Sequence, residues 1–180
     1  MISLACQKTT VRSSNSDDTA DKDSDSRNQI EEGEHLWVPD IIKTCIAKAV
    51  AAEPIEIETM FNPYYLRAHL EGNKVIDYVV LVRSVAEKKR RSVLICKDSA
   101  SPTLLGPLAN TKESFSQMNN DNFVTKDWEI LSNEETRTVT TDSGNKIGTA
   151  AKGESVSFIF EGGSFFIYWN GTKFRGVGGA

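Results

Sequence analysis

The groups in this chain able to carry chemistry are three thiols, two imidazoles and a few closely spaced carboxylates. The histidines, His35 and His69, stand in different contexts, one at the edge of a polar tail and one in a hairpin. Neither has a Ser or Cys nucleophile placed beside it. The pairs Glu56/Glu58 and Glu134/Glu135 have the spacing of carboxylates on solvated faces. Read as general acid and base, they would describe a hydrolase of the glycosidase kind, which needs two carboxyl groups flanking one bond. No Gly-rich phosphate loop, His-Glu-x-x-His or Cys-x-x-Cys occurs, so no catalytic residue and no cofactor is expected. Cys45 lies on an apolar helical stripe and Cys96 at the end of an apolar strand, the usual setting of buried thiols.

The elements that must position these groups begin after residue 34. Residues 1–34 carry four basic and eight acidic residues, so the whole formal charge of −4 lies there and 35–180 is balanced. Between Cys6 and Gln29 almost every side chain is polar, too little apolar surface to offset the entropy of ordering. The expected organisation is a disordered acidic tail, 1–34, and one domain, 35–180. An acidic balance argues against a polybasic nucleic-acid binder. No apolar run approaches the ~18–20 residues of a spanning helix.

In the body, Pro39 and Asp40 open a helix, and Ile41, Ile42, Cys45, Ile46, Ala49 and Val50 recur at helical spacing until Glu53-Pro54. The period then becomes two at Ile55, Ile57 and Thr59. Tyr64–Leu70 and Val75–Val85 flank Glu71-Gly72-Asn73-Lys74 as a hairpin, with Val79–Val82 apolar on both faces. The cations Lys88–Arg91 read as a solvated tip before a strand at Ser92–Cys96, and 98–122 as an irregular connection. Trp128 and Ile130 share a face of a strand over 123–131, and residues 136–152 read as a polar stretch with at most one exposed strand. Val156–Phe160, Phe165–Trp169 and a return through Asn170-Gly171, the preferred type I′ pair, complete the pattern. The aromatics Tyr64, Tyr65, Phe165, Phe166, Tyr168 and Trp169 suit cross-strand packing or the lining of a groove. The fold class expected is α+β: one N-terminal helix on a meandering antiparallel sheet.

Met1-Ile2-Ser3-Leu4-Ala5-Cys6, followed by a Ser/Asp/Thr-rich spacer, resembles the end of a bacterial lipoprotein signal, in which the Cys is lipidated. The basic and most of the apolar regions are missing; a start upstream of Met1 would supply them. The alternative is a cytoplasmic protein with an acidic N-terminus. If the chain is exported and Cys6 lipidated, Cys45 and Cys96 form an even pair able to make one disulfide. Phe61–Val82, Ile95-Cys96 and Tyr168-Trp169-Asn170-Gly171 also resemble segments of exported, lipoprotein-like bacterial proteins. Those carry an FG-GAP-type Asp-rich loop before an apolar strand and close on a Tyr-Trp-Asn-Gly hairpin. The resemblance implies a cell-envelope or periplasmic location and a shared fold, and no activity. Of the loop, Gly72, Asp77 and Tyr78 are kept, while His69, Glu71, Asn73 and Lys74 depart from it. Glu71, Asn73 and Asp77 would be the remnant of a calcium loop that has lost its ion.

The expectation is therefore a non-enzymatic, envelope-tethered binding or interaction domain. Its partner is a protein or envelope ligand rather than nucleic acid, and its membrane contact is through the lipid alone. An immunity or inhibitor-type partner protein and a carboxylate-pair hydrolase are the alternatives.

Overall fold

The computed structural model describes residues 37–97, 102–109 and 125–179. The expectations for the 1–34 tail, for Cys6 and His35, and for most of the 98–122 connection lie outside the described residues. Within them the fold is mostly antiparallel sheet with one main helix.

Helix α1 (Asp40–Lys48) starts behind Pro39, whose fixed φ suits the entry, and buries Ile42 and Cys45. It ends before Glu53-Pro54, because Ala49 is already extended and Ala51 bridges to Ala109. Val50, expected on the buried stripe, lies beyond the helix and is exposed.

Strands β1 (Ile55–Ile57) and β2 (Tyr65–Ala68) lie end to end along one side of β3 (Asp77–Ser84). On its other side β3 pairs with β4 (Arg91–Lys97), which pairs with β5 (Thr103–Leu105) inside the stretch expected to be irregular. A second sheet is a meander of β6 (Asp127–Leu131), β7 (Ser155–Phe160), β8 (Gly163–Trp169) and β9 (Phe174–Gly179). There are thus two sheets where the sequence predicted one. The reason is that each sheet has an apolar face that the other covers. Val79, Leu81, Val93 and Ile95 of the first share a core with Trp128, Val156, Phe158, Phe165 and Ile167 of the second. Burying one such side chain contributes about 1.5–3 kcal/mol, and neither face could be left to water.

Alternation sends Leu94 and Cys96 to the opposite face of β4, where Cys45 and Cys96 are joined as a disulfide that fastens α1 to the sheet. The outer face of the second sheet, Phe166 and Tyr168, is covered by Ile147, Ala151 and Val139 from the 132–151 segment. That segment contains helix α2 (Asn133–Thr138), absent from the sequence reading. A capping box starts it: Ser132 Oγ accepts from the Glu135 N–H at 3.2 Å, and Glu135 Oε2 accepts from the Ser132 N–H at 2.8 Å. The C-terminal turn is shifted by one place from the type I′ expectation. Asn170 N–H donates to Lys173 C=O, so Gly171 (φ 97°) and Thr172 occupy its centre.

The bond between Cys45 and Cys96 closes a loop with a sequence separation of 51, so removing it should cost about 2–4 kcal/mol of stability. Urea unfolding of Cys45→Ala/Cys96→Ala against the oxidised wild type measures this; a difference below about 0.5 kcal/mol would contradict the fastening of α1.

Candidate functional site

The turn after β2 meets the segment before β7 backbone to backbone. The His69 carbonyl accepts from the Gly72 N–H at 3.0 Å and from the Glu154 N–H at 3.1 Å. The His69 N–H donates to Glu154 Oε2 at 2.6 Å. A side chain at Gly153 would place its Cβ 2.2 Å from the His69 carbonyl oxygen and 2.5 Å from that of Leu70. One at Gly72 (φ +72°) would sit 2.0 Å from the Lys152 carbonyl oxygen. Gly153 is needed for the close contact, and Gly72 for the contact and for its left-handed backbone as well.

Beside this junction lies a cleft of about 350 Å³ lined by His69, Gly72, Asn73, Lys74, Asn133, Gly153 and Glu154. Its polar groups are unevenly satisfied. Asn73 is spent: its Oδ1 accepts from the Val75 N–H at 2.8 Å and its Nδ2 donates to Glu71 at 3.2 Å. His69 Nδ1 lies 3.0 Å from the Val75 carbonyl oxygen. Asn133 Nδ2 donates to the Lys152 carbonyl at 3.3 Å, while its buried Oδ1 has no hydrogen-bond partner among the described residues.

The three residues read as a calcium-loop remnant do not converge on an ion. Glu71 is paired with Lys97 and Asn73, Asn73 turns back on Val75, and Asp77 Oδ2 accepts from the Leu70 N–H at 3.2 Å. The cation paired with Glu71 is Lys97, which also lies 5.2 Å from the centre of the Trp169 ring and 5.7 Å from that of Phe174. No group of three or more His, Cys, Asp or Glu able to hold a metal occurs among the described residues.

The carboxylates of the 53–58 region are also engaged, by cations. Glu58, expected on a solvated face, is fully buried because β1 ends at Ile57 and turns it beneath two guanidinium groups. Arg91 Nε lies 2.6 Å and Arg83 Nη1 3.4 Å from it. Glu56 takes Arg83 at 2.8 Å and Lys88 at 2.9 Å, which together hold its carboxyl below the usual range, Lys88 most strongly. Arg90 pairs with Glu53. The cations read as a solvated tip are therefore clamps on β1 and the residues flanking it, apart from exposed Lys89. Glu135 is likewise held low by its capping bonds to Ser132. Neither this cleft nor a second, of about 430 Å³ between Thr141–Ile147 and Tyr168, is lined by any of Glu53, Glu56, Glu58, Glu71 or Asp77. Of the candidate aromatics, Phe165 and Phe166 are core, Tyr65 packs on Tyr78, and Trp169 packs on Phe174; Tyr168 lines the second cleft. No described helix is long and apolar enough to cross a membrane.

Compared with protein-family models, curated proteins and solved structures, the chain matches none.

Burial raises the Asp77 carboxyl above the ordinary aspartate value; Lys97 and the Leu70 N–H oppose this less strongly, and Glu71 adds to it. A group whose folded pKa is raised holds its proton more tightly when folded. Its stabilising contribution is complete below the unfolded value and is lost as pH rises through the folded one. Asp77→Asn keeps an acceptor for Leu70, so its stability relative to wild type should rise as pH increases from about 4 towards neutrality. Urea midpoints at stepped pH read this directly, and a constant difference across that range would contradict it.

Proposed function

We propose that the chain is an exported, lipid-anchored domain that binds a ligand or partner and performs no reaction. The observation that carries this reading is the disulfide between Cys45 and Cys96. Disulfides persist in oxidising compartments and are reduced in most cytoplasms. With two of the three thiols paired, Cys6 is the one left over, and it stands before a polar spacer of the kind a surface tether needs. The resemblance to exported, lipoprotein-like proteins points the same way. The candidate carboxylates support binding rather than hydrolysis, since those of the 53–58 region are neutralised by guanidinium and ammonium groups. A rigid double sheet with a half-satisfied cleft at one end is suited to recognition, because little ordering remains to be done on binding.

The test is made on the protein expressed from its own locus. Membrane fractionation with radiolabelled palmitate should recover a labelled protein, with the label lost in Cys6→Ala, and maleimide should reach Cys45 and Cys96 only after reduction and unfolding. Recovery in the soluble fraction, unlabelled and with both thiols reduced, would assign instead a cytoplasmic partner protein of the immunity or inhibitor kind.

A further inference from the structure

We infer that the cleft between the 69–74 turn and the 152–154 segment takes the zwitterionic head of a free α-amino acid. This rests on the reading of the domain as a binder, and adds the class of ligand and the atoms that read it.

Several hydrogen-bonding positions on the residues of the cleft are unfilled. Asn133 Oδ1 is buried and lacks a donor among the described residues, a costly state for an amide oxygen. Glu154 uses Oε2 on the His69 N–H, which leaves Oε1 and the negative charge. At His69, the partner of Nδ1 is a carbonyl, which can only accept, so Nδ1 must carry the hydrogen. In the neutral form of the ring Nε2 then presents a lone pair. Glu154 Oε1, which is anionic, and His69 Nε2 are thus unfilled acceptors on residues that line one cleft, while the Oδ1 of Asn133, a third lining residue, is itself buried. The single cation lining it is Lys74, exposed and without an ion-pair partner among the described residues.

A primary ammonium carries three N–H donors on one atom and the charge opposite to Glu154. An α-carboxylate, two bonds from that nitrogen, supplies the anion for Lys74. Other small ligands match less of the set. A sugar leaves both charges uncompensated. A phosphate meets Lys74 but sets its own lone pairs against the acceptors of Glu154 and His69. A divalent metal ion would bind beside an ammonium with only one carboxylate to hold it. The volume, about 350 Å³, falls at the small end of the ~300–1,000 Å³ range of ligand pockets, as a single amino acid requires. The walls are the backbone junction at Gly72 and Gly153, so the site is formed before the ligand arrives.

Isothermal titration calorimetry of the full chain with L-alanine, L-leucine, L-phenylalanine, L-glutamate and L-lysine tests this. At least one should bind with a Kd of about 1 mM or tighter. Its N-acetyl derivative, which lacks the ammonium, and its amide, which lacks the carboxylate, should each bind about 10-fold or more weakly. Lys74→Gln, a change at an exposed side chain, should weaken the free amino acid about 10-fold while leaving binding of the amide unchanged. Silence for all five up to about 10 mM, or equal affinity for the free and blocked forms, overturns the inference. If those results came with a palmitate-labelled, disulfide-bonded protein in the membrane fraction, the ligand assignment alone would fall. A cytoplasmic, reduced protein that still bound amino acids would overturn the location and leave the site standing.

Discussion

Two polypeptide segments far apart in sequence touch here without side chains between them, and the rest of the molecule is arranged around that contact. Gly72 and Gly153 bring the turn after β2 against the strand entry to β7, and the His69 carbonyl collects N–H donors from both sides. The contact joins one sheet to the other at the end where the cleft opens. It also fixes the Glu154 side chain, since the main chain of His69 is held by both the main-chain N–H and the carboxylate of Glu154. The shared core of Val79, Leu81, Phe158 and Ile167 gives the double sheet its stability but no direction. The glycine junction and the Trp128 indole, which donates to the Pro63 carbonyl at 3.1 Å, set how the sheets meet.

Charge is handled by the same economy at both ends of the first sheet. At one end, Arg83, Arg90, Arg91 and Lys88 hold Glu53, Glu56 and Glu58 and keep the short β1 on the side of β3. Removing a single partner from the buried Glu58 cluster would leave an uncompensated charge, which is far costlier than losing an exposed pair. At the other end, Lys97 reaches from β4 to Glu71 and over two aromatic rings of the second sheet. The Lys97 ammonium there meets the carboxylate of Glu71, and Asn73 bonds within the turn hold its shape.

What could be read from the sequence was what local periodicity controls. Helix α1, the β2–β3 hairpin and the β7–β8–β9 meander follow from spacing and turn residues. The second sheet was not legible as separate, because an apolar face does not declare which other face will cover it. Helix α2 had a signal, Ser132 followed three residues on by Glu135, but its polar surroundings lack the apolar stripe by which helices are usually found. Glu58 misled the period-two reading, since alternation holds only while the strand lasts. Of the site, His69, Gly72, Asn73 and Lys74 drew attention as a loop, whereas Asn133, Gly153 and Glu154 come from segments with no local mark of function. A solitary Gly in Lys152-Gly153-Glu154 is ordinary loop punctuation until the fold brings Leu70 and His69 against it.

The most direct measurement of the central claim is the stability of Gly153→Ala by urea unfolding. The added methyl meets backbone atoms of His69, Leu70 and Gly72 that have no side-chain freedom to move aside. A loss on the order of 3 kcal/mol with an unchanged dependence on urea is the result the account predicts. A variant within about 0.5 kcal/mol of wild type would contradict it, and would mean that the two sheets are not joined through this contact.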